Sequence, residues 1–334
     1  MSSATVTSSE PGVLASAQYG KDLVRVLRVV RDGKFHHVVE YNVCVLLEGD
    51  IASSYTQADN SVVVATDSMK NITYYLAKVS PHILHPEHFA LHLGTHIVSK
   101  YAHIHRAFVD VEQLRWSRIP IASDTVEGQT APHPHAFWRD GGEKRIVKVE
   151  VDASAGKDKL VGRVSAGLVD LLVLKSTGSA FTGFVRDEYT TLTEVDDRIF
   201  STSVDLSYTF APISLAAPAD DKNLAFDVPK ELAEGDKGGV WDADKVSERA
   251  RTATLDIFAK DESASVQATL YKMGQRVIAE NAGVQSVSYK LPNKHYVPVD
   301  MRYLGVDNLT LAQAEVFVPL TAPSGLIAAT IARK

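Results

Sequence analysis

The elements readable in this chain run strand pair, helix pair, strand pair, and then the same again. This order predicts an α+β fold of antiparallel sheets with the helices gathered on one face. Three observations carry the prediction. Strand-like runs follow one another across short turns instead of alternating singly with helices. Helical segments come in adjacent pairs, each with an apolar face. The second half of the chain repeats the order of the first.

Taken in order, residues 1–17 are Ser- and Thr-rich and are expected to form a disordered lead-in. From Asp22 to Leu47 the chain reads as a hairpin of long β-branched strands turning at Asp32-Gly33. The stretch from Asp59-Asn60-Ser61 to Thr66-Asp67-Ser68 reads as an apolar strand running into helix-capping residues. A second helix opens at Pro86 and carries Phe89, Leu93 and Ile97 at spacings of four. Strands are expected over residues 103–116 and 146–151, separated by a loop rich in Gly, Pro and His. In the second half, strands are expected over residues 168–174 and 199–210. One helix then carries Val246, Ala250, Ala253 and Ile257, and the next carries Val266, Leu270, Met273 and Val277. Strands follow at residues 285–291 and 295–303. Residues 213–239, rich in Pro, Asp, Lys and Gly, read as a surface insertion.

Composition narrows the function. The chain has 334 residues, 45% of them apolar, enough for two ordinary cores, and the division expected is 18–155 and 156–334. A net charge of −6 with scattered Lys and Arg gives no footprint for nucleic acid. No apolar stretch approaches the ~20 residues that span a bilayer, so no membrane role is expected. The lone Cys44 reads as a small buried hydrophobe, and no internal disulfide is possible.

Several polar clusters could carry chemistry. In Leu291-Pro292-Asn293-Lys294-His295-Tyr296, residues two apart on an extended segment face one side, so Asn293 and His295 can address one small object. Lys21 stands just before the opening strand, and Thr66 and Asp67 stand at a helix start where free N–H groups can meet an anion. Phe181 lies among small residues and offers a stacking face; the planar guanidinium of Arg198 suits a planar anion. Gln267, after Val266, offers a donor and an acceptor together. A competing signal is His85, His88, His92 and His96 along one helix, with His133 and His135 nearby. No carboxylate interleaves that face and no second cysteine is available, so no metal is expected.

The segments Tyr19-Gly20-Lys21-Asp22, Val64-Ala65-Thr66-Asp67-Ser68, His133-Pro134-His135, residues 174–178 and 186–192, Asp197-Arg198-Ile199, Ser265-Val266-Gln267, residues 291–296 and Gly325-Leu326-Ile327 resemble the urate oxidase (uricase) family. They appear in family order over nearly the whole chain, and a loop at Glu143-Lys144-Arg145 is more similar to fungal members. The resemblance implies two tandem tunnelling-fold (T-fold) domains in a homotetramer, with active sites shared between subunits. It implies oxidation of urate by O₂ and water to 5-hydroxyisourate and hydrogen peroxide, with no metal or organic cofactor. Lys21, Thr66 and His295 would form a proton relay, with Lys21 acting on a Thr66 of the same strand pair. Thr66, Asp67, Phe181, Arg198, Val266, Gln267 and Asn293 would bind substrate, Thr66 and Asp67 from the neighbouring subunit. A peroxisomal setting is implied by the fungal likeness, although the chain stops at Ala332-Arg333-Lys334 without the usual targeting tripeptide, which leaves the cytoplasm as the alternative.

Overall fold

Strand β1 (Tyr19–Asp32) turns through Gly33, at φ +53°, into β2 (Phe35–Gly49), so that Asp32 pairs with Phe35 and the two strands form the expected hairpin. A short helix α1 (Ala52–Thr56) and a 3-10 turn at Asn60–Val62 lead to the helix pair α2 (Thr66–Val79) and α3 (Pro86–Lys100). Strands β3 (Ile104–Ala122), β4 (Thr130–Asp152), β5 (Leu160–Lys175) and β6 (Phe200–Phe210) follow, with a short β7 (Ile213–Leu215). The second helix pair is α4 (Ala243–Lys260) and α5 (Val266–Glu280). Strands β8 (Val284–Pro298), β9 (Phe317–Leu320) and β10 (Leu326–Ala332) close the chain. This computed structural model describes residues 11–122, 129–216 and 243–334.

All ten strands belong to one antiparallel sheet in the order β1-β2-β3-β4-β5-β6-β8-β10, with β7 beside β5 and β9 beside β8. Alternation decides which face is covered. Tyr41, Val43, Val45 and Leu47 of β2 are fully buried under the helices, and the residues between them face the other way. There Asn42 donates to Glu112 at 3.1 Å, and Lys148 stands 3.8 Å from Asp110, giving a polar, charged open face. On the helix face a single apolar cluster runs across both halves, from Phe89 and Ile97 to Tyr208, Met273 and Leu291.

The two halves match in detail. In β1 a bulge follows Lys21 and puts Leu23 at φ +55°, three residues after Gly20; in β5 a bulge follows Leu168 and puts Asp170 at φ +61°, three residues after Gly167. Each is a non-glycine residue in the left-handed region, costing about 1–2 kcal/mol, and each interrupts the register of the first strand of its half, as a bulge does. The helix that lies closest to the sheet carries a glycine in both halves. A Cβ on Gly94 of α3 would meet Val151 at 2.7 Å, and one on Gly274 of α5 would meet Ile331 at 2.6 Å.

Several expectations are corrected. The His133-Pro134-His135 segment is part of β4, and β3 runs on to Ala122. Beyond the helix-covered core these strands form a ribbon exposed on both faces, so the alternation that marks a strand is lost. Arg118 holds the ribbon together, lying over the rings of Phe35 and Phe137 and donating to the carbonyls of His133, Pro134 and His36. Glu143-Lys144-Arg145 likewise lies within β4. The segments 285–291 and 295–303 are one strand up to Pro298, because Asn293 keeps the edge paired by donating its N–H to Gly325 at 2.7 Å. Residues 62–65 are a 3-10 turn and coil instead of a strand, and α2 is capped by Ala65 with no side-chain bond. Thr66 is therefore the first residue of a helix and does not belong to a strand pair with Lys21. Cys44 points to the open face and is only partly buried; burial, then Asp22, pushes its thiol up to about 11. Residues 213–215 of the expected insertion pair with β5; residues 1–10 of the lead-in and 217–242 lie outside the described residues.

Candidate active site

The expected site residues fall into two clusters at opposite ends of the sheet. The first is built on β1 and the start of α2. Lys21 immediately precedes the bulge, which re-aims the strand at that point. The Val64 N–H donates to the Tyr19 hydroxyl at 2.7 Å, and His103 Nε2 lies 3.0 Å from the Val62 carbonyl, so the segment leading to Thr66 is tied down from two sides. Burial raises the Tyr19 phenol, which therefore stays protonated. Asp67 accepts from Lys70 and, at 2.9 Å, from Asn71; the Lys70 bond foremost, with a smaller contribution from Lys21, holds its carboxyl below the usual range.

The second cluster gathers a long loop, a helix start and β8. Residues 176–199 connect β5 to β6, and two crossings fix this loop. The N–H of Phe181 donates to the Val195 carbonyl at 2.8 Å, and Ala180 donates to Ser263 at 2.9 Å, just before α5. Ser265 caps α5 by accepting from Ala268 N–H at 3.1 Å. Val266 and Gln267 occupy the first turn, whose N–H groups have no acceptor within the helix. Arg198 stands two residues before Phe200, where β6 begins, and Ser201 and Thr202 pair with Lys294 and Asn293, so the end of the loop is delivered to the His295 side of β8. Its guanidinium stands 5.1 Å from the Phe181 ring centre, and Phe181 is stacked on Phe184 at 4.9 Å and 13°.

The electrostatics of Arg198 set it apart. It is partly buried, and burial alone lowers its pKa from the ordinary value; no carboxylate among the described residues pairs with it. An uncompensated guanidinium beside an aromatic face and a helix start is an arrangement for a flat anion.

One chain does not unite the two clusters. From β1 to β8 the sheet takes six strand steps, roughly 29 Å at the usual ~4.8 Å spacing. Lys21, Thr66 and Asp67 fall on the β1 side of the sheet, and Phe181, Arg198, Val266, Gln267, Asn293 and His295 fall on the β6–β8 side. The helical histidines gather by ring contacts, His82 lying 5.7 Å from His88 and 5.9 Å from His92, and His88 5.8 Å from His85; His85 also pairs with Asp244, and the Ser80 hydroxyl lies 2.8 Å from His92 Nδ1. Among the described residues no group of three or more His, Cys, Asp or Glu is arranged to hold a metal ion. Two residues given no role from the sequence have one locally, Tyr19 and Asp197. Tyr19 stands two before Lys21 and Asp197 one before Arg198, and nothing in residue type alone marks either.

A family model described as uricase matches residues 17–150 and 164–328. The chain belongs to the uricase family. A uricase from Emericella nidulans is 46% identical over 324 residues, covering 96% of this chain and 97% of that protein. One from Aspergillus flavus is 46% identical over 321 residues, covering 95% and 96%. Among solved structures, a uricase from Arthrobacter globiformis superposes with a TM-score of 0.78 at 33% identity, covering 97% of this chain and 96% of that one. The fold is accordingly the α+β tunnelling fold of uricases, with its helices on one sheet face.

Proposed function

We propose that this uricase oxidises urate with O₂ and water to 5-hydroxyisourate and hydrogen peroxide, using side chains alone, in a pocket completed by a second copy of the chain. The observation that carries the reading is the unpaired Arg198 guanidinium beside Phe181 and the first turn of α5.

Urate is a flat anion at neutral pH. Arg198 and Gln267 clamp its edge in plane, the guanidinium neutralising its charge by charge-assisted hydrogen bonds. The Val266 N–H adds an amide contact, and Phe181, backed by Phe184, lies beneath the ring. Lys21 acts through Thr66 and, with His295, relays a proton away from the bound anion, giving the more electron-rich dianion. Asn293, on the same side of β8 as His295, holds O₂ or water over the ring. Ground-state O₂ is a triplet, so two electrons leave urate one at a time. Water then adds its oxygen to the oxidised ring, and O₂ departs as H₂O₂ with two electrons and two protons.

The half supplying Lys21, Thr66 and Asp67 comes from the neighbour, because the sheet separates it from His295 within one chain. Closure of two open sheets edge to edge gives the tunnel, and two such pairs give the tetramer that family membership suggests. The two matched halves of the sheet support a division into tandem tunnelling-fold domains at about residue 155. Among the described residues no helix is long and apolar enough to cross a membrane. A product as reactive as hydrogen peroxide suits the peroxisome, the compartment this reading assigns.

The test is loss of urate absorbance with matching peroxide formation, measured with and without a chelator. Activity abolished by the chelator, or no urate loss under air, rejects the reading. The Arg198→Ala variant should raise KM for urate by about 10-fold or more, the cost of one hydrogen-bonded charge; an unchanged KM would remove Arg198 from the clamp.

A further inference from the structure

The acid adjacent to Arg198 in the chain does not neutralise it. Asp197 turns its carboxylate the other way. One oxygen accepts the Gly178 N–H at 2.7 Å and the Ser179 N–H at 3.2 Å, and the other accepts the Thr177 hydroxyl. The Thr177 bond, then those backbone donors, holds the Asp197 carboxyl below the ordinary range, so it stays ionised and fully engaged. These three donors lie at the far end of the same long loop, twenty residues back in the chain. Asp197 therefore ties the loop's last residues to its first.

Those first residues are also the ones that meet α5. Ser263 donates its N–H to Gly178 at 3.0 Å and accepts from Ala180 at 2.9 Å, while Thr269 of α5 donates to the Ser263 hydroxyl at 2.8 Å. Ser179 and Ser263 are almost completely buried at this junction. A chain of contacts thus runs from Asp197 through residues 177–181 to the helix start that carries Val266 and Gln267.

We propose that Asp197 is the positioning residue of the anion clamp. It fixes Phe181 and Gln267 relative to Arg198 and, with both oxygens committed to residues 177–179, leaves the Arg198 charge free for the ligand. The proposal rests on the urate reading of this site. Its chemical consequence is specific: the group sets substrate affinity and takes no part in proton or electron transfer.

The Asp197→Asn variant separates these roles, because an amide replaces one acceptor oxygen with a donor that faces Thr177 or the two N–H groups. Urate turnover by the unaltered protein is measured first, and its failure rejects the urate reading and, with it, the role given to Asp197. Given an active parent, KM for urate should rise about 10-fold or more, as expected for loss of hydrogen bonds to a charged group. The kcat should stay within about threefold. Titration with urate under strictly anaerobic conditions should show the same loss of affinity with no chemistry to confuse it. Thr177→Val removes one of the three bonds and should give a smaller rise in KM with an unchanged melting temperature, which keeps the test open if the Asn variant folds poorly. A fall in kcat at unchanged KM, or an unchanged anaerobic affinity in both variants, overturns the proposal.

Discussion

The Lys21→Met variant is expected to lose urate turnover by about 10²–10⁴-fold, the usual worth of a positioned acid–base group. KM should stay within about threefold, since Met keeps the aliphatic stem and Lys21 is assigned no contact with the clamped edge. The structure gives a reason to expect a clean result. Asp67, on which Lys21 has only a minor electrostatic influence, is already held by Lys70 and Asn71, so removing the ammonium strands no carboxylate. The bulge after Lys21 is built by Asp22 and Leu23 and survives the change. Steady-state kinetics with a melting curve on the same sample check this. Parallel losses in kcat and affinity would make Lys21 a binding residue.

The Arg145→Met variant should lose about 3–5 kcal/mol of stability, the cost of leaving a buried charge without its partner. Glu87 of α3 has no exposed side-chain surface and is held by Arg145 through two bonds of 2.7 and 2.8 Å. Burial alone would lower the Arg145 pKa, but Glu87 and Asp244 drive it upward. Arg145 also reaches Asp244 of α4 at 2.6 Å, and Asp244 pairs with His85, so one guanidinium ties the helices of both halves to β4. A fall of roughly 4–7 °C in melting temperature is expected for a chain of this size. Replacing Glu87 and Arg145 together by Leu and Met should recover most of it, and failure of the double variant to recover would show that geometry, not stranded charge, carries the loss.

The His85–Asp244 arm adds a pH dependence with a definite sign. Asp244 raises the His85 pKa, so that contribution is full below the unfolded value of ~6.5 and fades as pH rises through the raised folded one. Burial would raise Asp244, but His85 and Arg145 bring it to about 2; its contribution is full above the unfolded ~3.9 and is lost as pH falls from there through the folded value of about 2. Both statements describe one interaction, strongest between about pH 4 and 6.5. Since both side chains are nearly half exposed, solvent screens it and the arm is the weaker part of the network.

The sequence made local order legible where a buried face imposes a period. The hairpin of β1 and β2 follows from alternation, and α3, α4 and α5 follow from spacings of three and four. The reading failed where no such face exists. The outer ribbon of β3 and β4 is solvated on both sides, so His133 and His135 looked like loop residues. Pro292 broke the apparent run of β8, although the strand continues because Asn293 finds Gly325. The site residues were readable as types and as a resemblance, but their grouping was not. That Thr66 sits with Lys21 and far from His295 depends on strand order across the whole sheet, which no local pattern encodes. The turning of Asp197 away from Arg198 depends on a loop closing over twenty residues, which is equally invisible in the chain.

The wide separation of the two clusters across the sheet has a consequence for inheritance. If each pocket borrows one cluster from each of two polypeptides, a strain carrying one allele defective at Lys21 and another defective at His295 still assembles some pockets from the sound part of each. Two individually inactive alleles would then rescue one another, whereas two alleles damaged in the same cluster never could.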